Sequence, residues 1–256
     1  MPRHVLLTND DGLDSPLLAL LIAALRPLAN VTVAIPTDEQ SWQGKSMTRV
    51  GEIRAEPIEL AGAGGFAITG TPADCVNLAL HNLVNEPVDA VISGINIGRN
   101  TGLGFMLSSG TVGGCIEGNI AGIPGLALSQ EFERDDFRYW ATHRQFRPET
   151  IEHLRSQCAA VIPAVWAALD MAQIAEAVTW SVNFPYRVAD TALERTYLGY
   201  SFYRRCFQPT ADGTYVHQVE PFPLDEDPRS DSAVIKAGKI SATRIDIRTL
   251  GAPTES

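Results

Sequence analysis

Apolar and polar residues alternate between two periods in the first half of the chain. Short apolar runs of strand length occur at residues 4–8 and 31–35, the second closed by Pro36, and a run of helical length lies between them. Residues 17–25 are apolar on nearly every helical face. Asp14 or Ser15 is placed to cap that helix, and Pro16 suits its first turn. Residues 49–70 read as a hairpin, with Ile53, Ile58 and Leu60 on one limb, a glycine-rich tip at 62–65, and 66–69 returning. Thr71 and Pro72 open another helix. A strand at 88–92, a glycine-rich loop, a helix over 111–121 and a strand at 125–128 follow. Strands alternating with helices predict βαβ units on a parallel sheet.

The second half is less regular. A polar, aromatic stretch at 132–146 precedes a helical pattern over 149–175 and a strand-like run at 177–182. Residues 197–219 are rich in Tyr, Phe, Thr and Val around Ala211, Asp212 and Gly213, which predicts a hairpin projecting from the sheet, a form of arm that often mediates oligomer contacts. The tail returns to apolar character over 233–247, and no repeat or composition break divides the chain.

Composition narrows the function classes. The 256 residues are 45% hydrophobic, enough for a substantial core, and the net charge of −10 opposes binding to nucleic-acid polymers or to an anionic membrane surface. Any anionic substrate is therefore small and locally neutralised. Neither a signal-peptide pattern nor an apolar run long enough to span a bilayer is present, so the expected location is cytoplasmic. Cys75, Cys115, Cys158 and Cys206 lack zinc-ligand spacing, and His4, His81, His143, His153 and His217 lack metal or triad spacing; all nine read as structural or solvated residues.

In open parallel sheets ligands bind beyond the carboxyl ends of the strands, and polar clusters follow three of the apolar runs: 8–12 (Thr-Asn-Asp-Asp-Gly), 36–41, and 93–96 (Ser-Gly-Ile-Asn). The adjacent carboxylates Asp10 and Asp11 repel unless they point apart, take up a proton or share a cation. Mg²⁺ or Mn²⁺ suits one or two carboxylates supplemented by neutral oxygens such as those of Ser41 and Asn96. The same Asn-Asp-Asp-Gly residues also favour an ordinary turn, and the motif alone supports both readings. Further on, Ser108, Ser109, Gly110 and Thr111 open a helix, whose first amides and positive dipole end suit a phosphate, although an ordinary Ser or Thr N-cap is commoner than a phosphate site. No GxGxxG follows a strand and no GxxxxGK[ST] loop occurs, so a plain NAD-binding role is poorly supported, and Asn-Asp-Asp-Gly does not give the DxD spacing expected of phosphatases that form a phospho-aspartate.

Taken together, Thr-Asn-Asp-Asp-Gly at 8–12, Glu-Gln-Ser at 39–41, Gly-Thr-Pro-Ala-Asp-Cys at 70–75, Ser-Gly-Ile-Asn at 93–96 and Ser-Gly-Thr-Val-Gly at 109–113 closely resemble the SurE family of survival-protein nucleotidases. The match runs in order through the first half, weakens beyond about 130, and returns at 230–241. The resemblance implies an α/β, Rossmann-like, three-layer parallel-sheet core with a projecting β-hairpin arm and a C-terminal oligomerisation segment. It implies one domain over 1–256, with the active site in 1–130 and the rest of the core plus the oligomerisation elements in 131–256. It also implies a divalent-metal-dependent phosphatase of nucleoside 5′- and 3′-monophosphates, with activity on short polyphosphate in some members, built as a homodimer or homotetramer. Carried over by position, Asp10, Asp11, Ser41 and Asn96 hold one divalent cation, Mg²⁺ or Mn²⁺, with Asp10 and Asp11 also catalytic, and Asn9, Ser109, Gly110 and Thr111 contact phosphate. Departures lie at Trp42 and Lys45, where small and uncharged or His residues are usual, and at 241–245, where Thr-Pro-Leu is usual. Two rival readings are a nucleotide-sensing module without turnover and a Mn²⁺-dependent glycosyltransferase, the latter needing a second nucleotide-binding domain for which the chain is short.

Overall fold

The structure, a computed structural model, describes residues 3–250. In chain order the first half forms β1 (Arg3–Thr8), α1 (Leu18–Leu25), β2 (Ala29–Pro36), β3 (Ala55–Leu60), β4 (Ala63–Ile68), α2 (Pro72–Leu78) continued by a π turn, β5 (Ala90–Ile97), α3 (Leu103–Ser108), α4 (Gly110–Ile120) and β6 (Gly125–Gln130). The second half forms α5 (Arg134–His143), α6 (Pro148–Ala168), β7 (Thr179–Phe184), β8 (Leu193–Thr196), β9 (Phe207–Pro209), β10 (Tyr215–His217), α7 (Asp231–Lys236) and β11 (Ile240–Ile245). The main sheet has the order β3-β4-β2-β1-β5-β6-β7-β11-β8. Its centre, from β4 to β7, is parallel throughout, and the antiparallel pairs β3–β4 and β7–β11 lie towards its edges. Strands from both sides of residue 130 thus share one sheet.

The alternation within β1 explains the three layers. Val5 and Leu7 pack with Leu21 and Ile22 of α1 and Val161 and Val165 of α6, whereas Leu6 packs on the opposite face with Val76 of α2 and with Val112 and Cys115 of α4. All of these side chains are buried, and each large one contributes about 1.5–3 kcal/mol. Among the described residues no helix is long and apolar enough to cross a membrane.

Several boundaries differ from the sequence pattern for local reasons. The first helix begins at Leu18 rather than at Pro16, because residues 12–18 form two successive turns closed by Ser15 N–H to Gly12 O and Leu18 N–H to Ser15 O. The β3–β4 turn lies at Ala61 and Gly62, both with positive φ, not at a tip spanning 62–65. Gly64 and Gly65 belong to β4, where a Cβ on Gly65 would fall 1.9 Å from the Val33 carbonyl oxygen of β2. The long helix stops at Ala168 rather than near 175, and Asp170 turns the chain with a left-handed φ of 52°. The polar stretch 132–146 holds α5, held by Asp136, which accepts hydrogen bonds from Thr150, Arg147 and Tyr186. The hairpin predicted within 197–219 forms as β9 and β10, a separate two-stranded ribbon.

Candidate active site

Three neighbouring parallel strands, β2, β1 and β5, bring the polar segments together at their carboxyl ends. Asp10 and Asp11 leave β1, Ser41 follows β2, and Asn96 lies within the last turn of the pleat of β5 rather than in a loop after it. The loop after β2 is tied to the first by Gln40 N–H donating to the Asp10 carbonyl at 2.7 Å. Gly12, with a φ of 85°, passes so close to the second loop that a Cβ would lie 2.9 Å from the Asp38 carbonyl carbon. Gly94 similarly lets β5 run against Leu128, whose carbonyl oxygen would meet its Cβ at 2.4 Å, and the Gly94–Ile95 peptide is cis.

The two carboxylates are held differently. Asp10 is buried against the start of α4: Thr111 donates its backbone N–H to Oδ2 at 3.0 Å and its hydroxyl to Oδ1 at 2.6 Å. A Cβ on Gly110 would lie 2.8 Å from the Asp10 Cβ, so glycine is what admits the carboxylate to the helix start. Asp11 accepts the Ile97 backbone N–H at 3.0 Å. Burial raises the pKa of Asp10, with the Glu39 charge adding to it and the Thr111 hydrogen bonds opposing it. Burial raises Asp11 well above the ordinary carboxylate range, and the Asp10 charge pushes it the same way.

A cavity of about 720 Å³ opens over this floor, bordered by Asp10, Ser41, Asn96 and Ser109 at its polar end. Asp11 borders a smaller adjoining hollow of about 210 Å³, and Glu39, Ile97 and Trp140 border both. Of the residues expected to touch phosphate, Ser109 lines the larger cavity and caps α4 by accepting the Val112 N–H at 3.1 Å. Thr111 is spent on Asp10. Asn9 is fully buried, donates to the Gly12 carbonyl at 2.9 Å, and keeps an Oδ1 with no protein partner.

The donor set suits a hard divalent cation. Both carboxylates are buried beside one another, and burial, with neighbouring negative charge, raises their pKa values, a cost that a shared cation would offset. Ser41 donates its hydroxyl hydrogen to Glu39 Oε1 at 2.8 Å, so its lone pairs stay available. Asn96 uses its Nδ2 on the Gly98 carbonyl at 2.7 Å, which leaves the amide oxygen for a ligand. Among the described residues no three His, Cys, Asp or Glu side chains gather as ligands, so a cation here would rely on neutral oxygens and water, as Mg²⁺ does.

Sequence reading missed several residues that border the site. Glu39, which lies in the cluster after β2, pairs with Ser41 and with Arg144, the left-handed residue that ends α5. Trp140 and Phe137 come from the same unpredicted helix, and His217, read as solvated or structural, reaches the cavity from the β9–β10 ribbon. Lys45 reaches Glu117 of α4 at 2.7 Å, which explains a charge at that position as a clamp between the loop and the helix.

A family model described as "Survival protein SurE" matches residues 5–205. The protein named 5′-nucleotidase SurE in Methanopyrus kandleri is 43% identical over 128 residues, 50% of this chain and 49% of that protein. Its namesake in Syntrophobacter fumaroxidans is 32% identical over 250 residues, 94% of this chain and 92% of that protein. Among solved structures, the SurE protein from Aquifex aeolicus matches 96% of this chain and 95% of its own with a TM-score of 0.69 at 26% identity. The Asp10 loop, the strand ends that frame it and the helix start that holds it all lie inside the matched span, and the chain belongs to the SurE family.

Proposed function

We propose that this protein is a divalent-metal-dependent phosphomonoesterase that hydrolyses nucleoside 5′-monophosphates, and 3′-monophosphates beside them, to nucleoside and phosphate. The observation that carries the reading is the buried Asp10–Asp11 pair, with Asp10 at the polar end of a nucleotide-sized cavity and Asp11 on the smaller hollow that adjoins it. The 5′-nucleotidase name of relatives aligned over nearly the whole chain supports the same substrate class.

Asp10 and Asp11, with Ser41 Oγ and Asn96 Oδ1, are the residues that would hold the cation. When bound, Mg²⁺ or Mn²⁺ supplies charge neutralisation at phosphate and a water of lowered pKa. Thr111 fixes Asp10 through two hydrogen bonds, so the carboxylate needs no reorganisation during the reaction. Of the first amides of α4, Thr111 N–H goes to Asp10 and Val112 N–H to Ser109 Oγ, which leaves the Gly110 N–H and the Ser109 hydroxyl for the phosphate oxygens. Asp10 or Asp11 orients or deprotonates the attacking water in line with the departing nucleoside oxygen. Trapping of a covalent phospho-enzyme would replace that water attack with direct attack by a carboxylate.

Two coarser features fit the same reading. The segment around the ribbon exposes Tyr200, Phe202, Phe207, Tyr215 and Val216, an apolar set that supports a homodimer or homotetramer, testable by light scattering on the purified chain. All four cysteines are free, in keeping with a reducing cytoplasm.

The test is phosphate release from adenosine and guanosine monophosphates, with and without Mn²⁺ or Mg²⁺, for wild type and Asp10→Asn. The expected result is metal-dependent release that falls by about 10³-fold or more in the variant. Tight nucleotide binding with no release under any cation would instead favour a sensing module.

A further inference from the structure

The cavity has a second end that the phosphate chemistry does not use. Trp42, Phe105 and His217 line it as one packed group and Phe137 and Trp140 as another, and these rings come from the loop after β2, from α3, from the ribbon and from α5. Trp42 is their hub. Its ring centroid lies 5.3 Å from Phe105, 5.2 Å from Tyr203 and 4.6 Å from His217, each inclined by more than 60°, so three neighbours fix the indole's orientation. Its backbone is left-handed at φ 66°, a conformation that a bulky residue rarely adopts. Even so, 37% of the residue remains exposed, and Phe137, which also lines the cavity, is 42% exposed. An indole braced by three rings, set on a strained backbone and left partly open to a cavity is built to meet a ligand rather than to fill a core.

A cavity that is anionic-ligand chemistry at one end and flat aromatic surface at the other matches a ligand with the same two halves. We propose that Trp42, braced by Phe105 and His217, is the surface on which the nucleobase stacks while its phosphate sits at Asp10 and Ser109. This assignment rests on the nucleotidase reading above and adds where substrate specificity resides. Stacking of a base on an aromatic side chain requires only a π-face, so Trp42 selects nucleotides over sugar phosphates with little preference among bases. The ribbon contributes through His217 as a positioning residue, which packs edge-on against Trp42 and is itself packed by Phe207.

The test compares adenosine 5′-monophosphate with ribose 5-phosphate, which share the sugar and phosphate but differ in the base, in wild type, Trp42→Ala and Trp42→Phe. In parallel, calorimetry measures binding of adenosine, which has the base but no phosphate. Wild type is expected to prefer the nucleotide. Trp42→Ala should raise KM for adenosine monophosphate by about 5- to 150-fold, leave ribose 5-phosphate turnover unchanged, and weaken adenosine binding to the same extent. Trp42→Phe, which keeps a ring, should stay within a few-fold of wild type, and unchanged ribose 5-phosphate turnover reports an intact fold. Equal losses for both substrates in Trp42→Ala, or an unchanged KM for the nucleotide, would overturn the assignment. Adenosine binding that depends on Trp42, with no phosphate released from either substrate, supports the stacking surface and removes the nucleotidase reading. Equal turnover of both substrates by wild type, with no adenosine binding, removes the stacking surface and leaves a phosphatase.

Discussion

The two ends of the crevice are built by different means. At the carboxylate end, Asp10, Asp11, Asn96 and Ser109 are placed by strand ends or a helix start, with Ser41 in the loop after β2, and Asp10 is fixed by backbone and hydroxyl donors from Thr111. At the aromatic end, residues far apart in sequence meet through ring contacts, such as Trp42 with His217, over a few loop hydrogen bonds such as Gly44 N–H to the Ser108 carbonyl, and Trp42 and Phe137 remain partly exposed. The first arrangement follows from the topology of the sheet, because β2, β1 and β5 are neighbours and point the same way. The second follows from how loops and the ribbon pack over that sheet. A reaction centre so placed tolerates little change, whereas the wall above it is open to retuning without disturbing the chemistry.

The contrast can be broken most sharply at Gly110. Gly110→Ala inserts a methyl group 2.8 Å from the Asp10 Cβ, and the resulting displacement should lower kcat by about 100-fold while nucleotide binding at the aromatic end survives. Retention of full activity would mean that the helix start does not position Asp10.

Asp74 tests whether the same rigidity extends behind the floor. It closes the capping box of α2 and accepts hydrogen bonds from Thr48 and Thr71, pinning the segment that follows the Ser41 loop. Burial works against its charge, but those hydrogen bonds outweigh it and lower its pKa below 3.8. A lowered carboxyl pKa gives stability that is present above the ordinary value and lost as pH falls through the folded one. Asp74→Asn should therefore cost about 1.5–3 kcal/mol at pH 7, measured by urea unfolding, and the deficit should shrink as the pH falls below 3.8. A pH-independent deficit would point to packing instead.

Asp11 sharpens the comparison in the opposite direction. Its pKa is raised by burial and by Asp10, so its ionisation withdraws stability as pH rises above the ordinary carboxylate value. Metal-stripped Asp11→Asn should be more stable than wild type at pH 7–8 by about 1 kcal/mol, with the order reversing when Mn²⁺ is added. The smallest effect is expected at the wall. Trp42→Gly should be more stable than Trp42→Ala by about 0.4–1 kcal/mol, because glycine accepts the left-handed backbone without strain, while both lose the nucleobase preference equally.

Legibility in the sequence followed the same division. Asp10, Asp11, Ser41 and Asn96 could be picked out because each sits beside the end of an apolar strand run, although Asn96 lies inside β5 rather than after it. The three-layer core was readable from the same runs, since Val5, Leu6 and Leu7 carry the strand period. Helix α5 was not readable. Only Asp136 and Trp140 are buried on it, so it lacks an apolar stripe and is held by side-chain hydrogen bonds to α6 and Tyr186. Nor could the sequence place Thr111 as the partner of Asp10, because 101 positions separate them and a Ser-Gly-Thr helix start looks the same whether it meets a phosphate or a carboxylate. His217 carried no signal, since its role depends on where a short ribbon comes to rest.

The central claim is that Asp10 and Asp11 share one divalent cation without which nucleotides are not hydrolysed. Titrating Mn²⁺ into chelator-stripped protein, with bound metal followed by electron paramagnetic resonance and adenosine monophosphate hydrolysis measured on the same samples, addresses it directly. The account predicts one tightly bound Mn²⁺ per chain, activity rising in proportion to its occupancy, and loss of both in Asp10→Asn; full turnover in the stripped protein would contradict it.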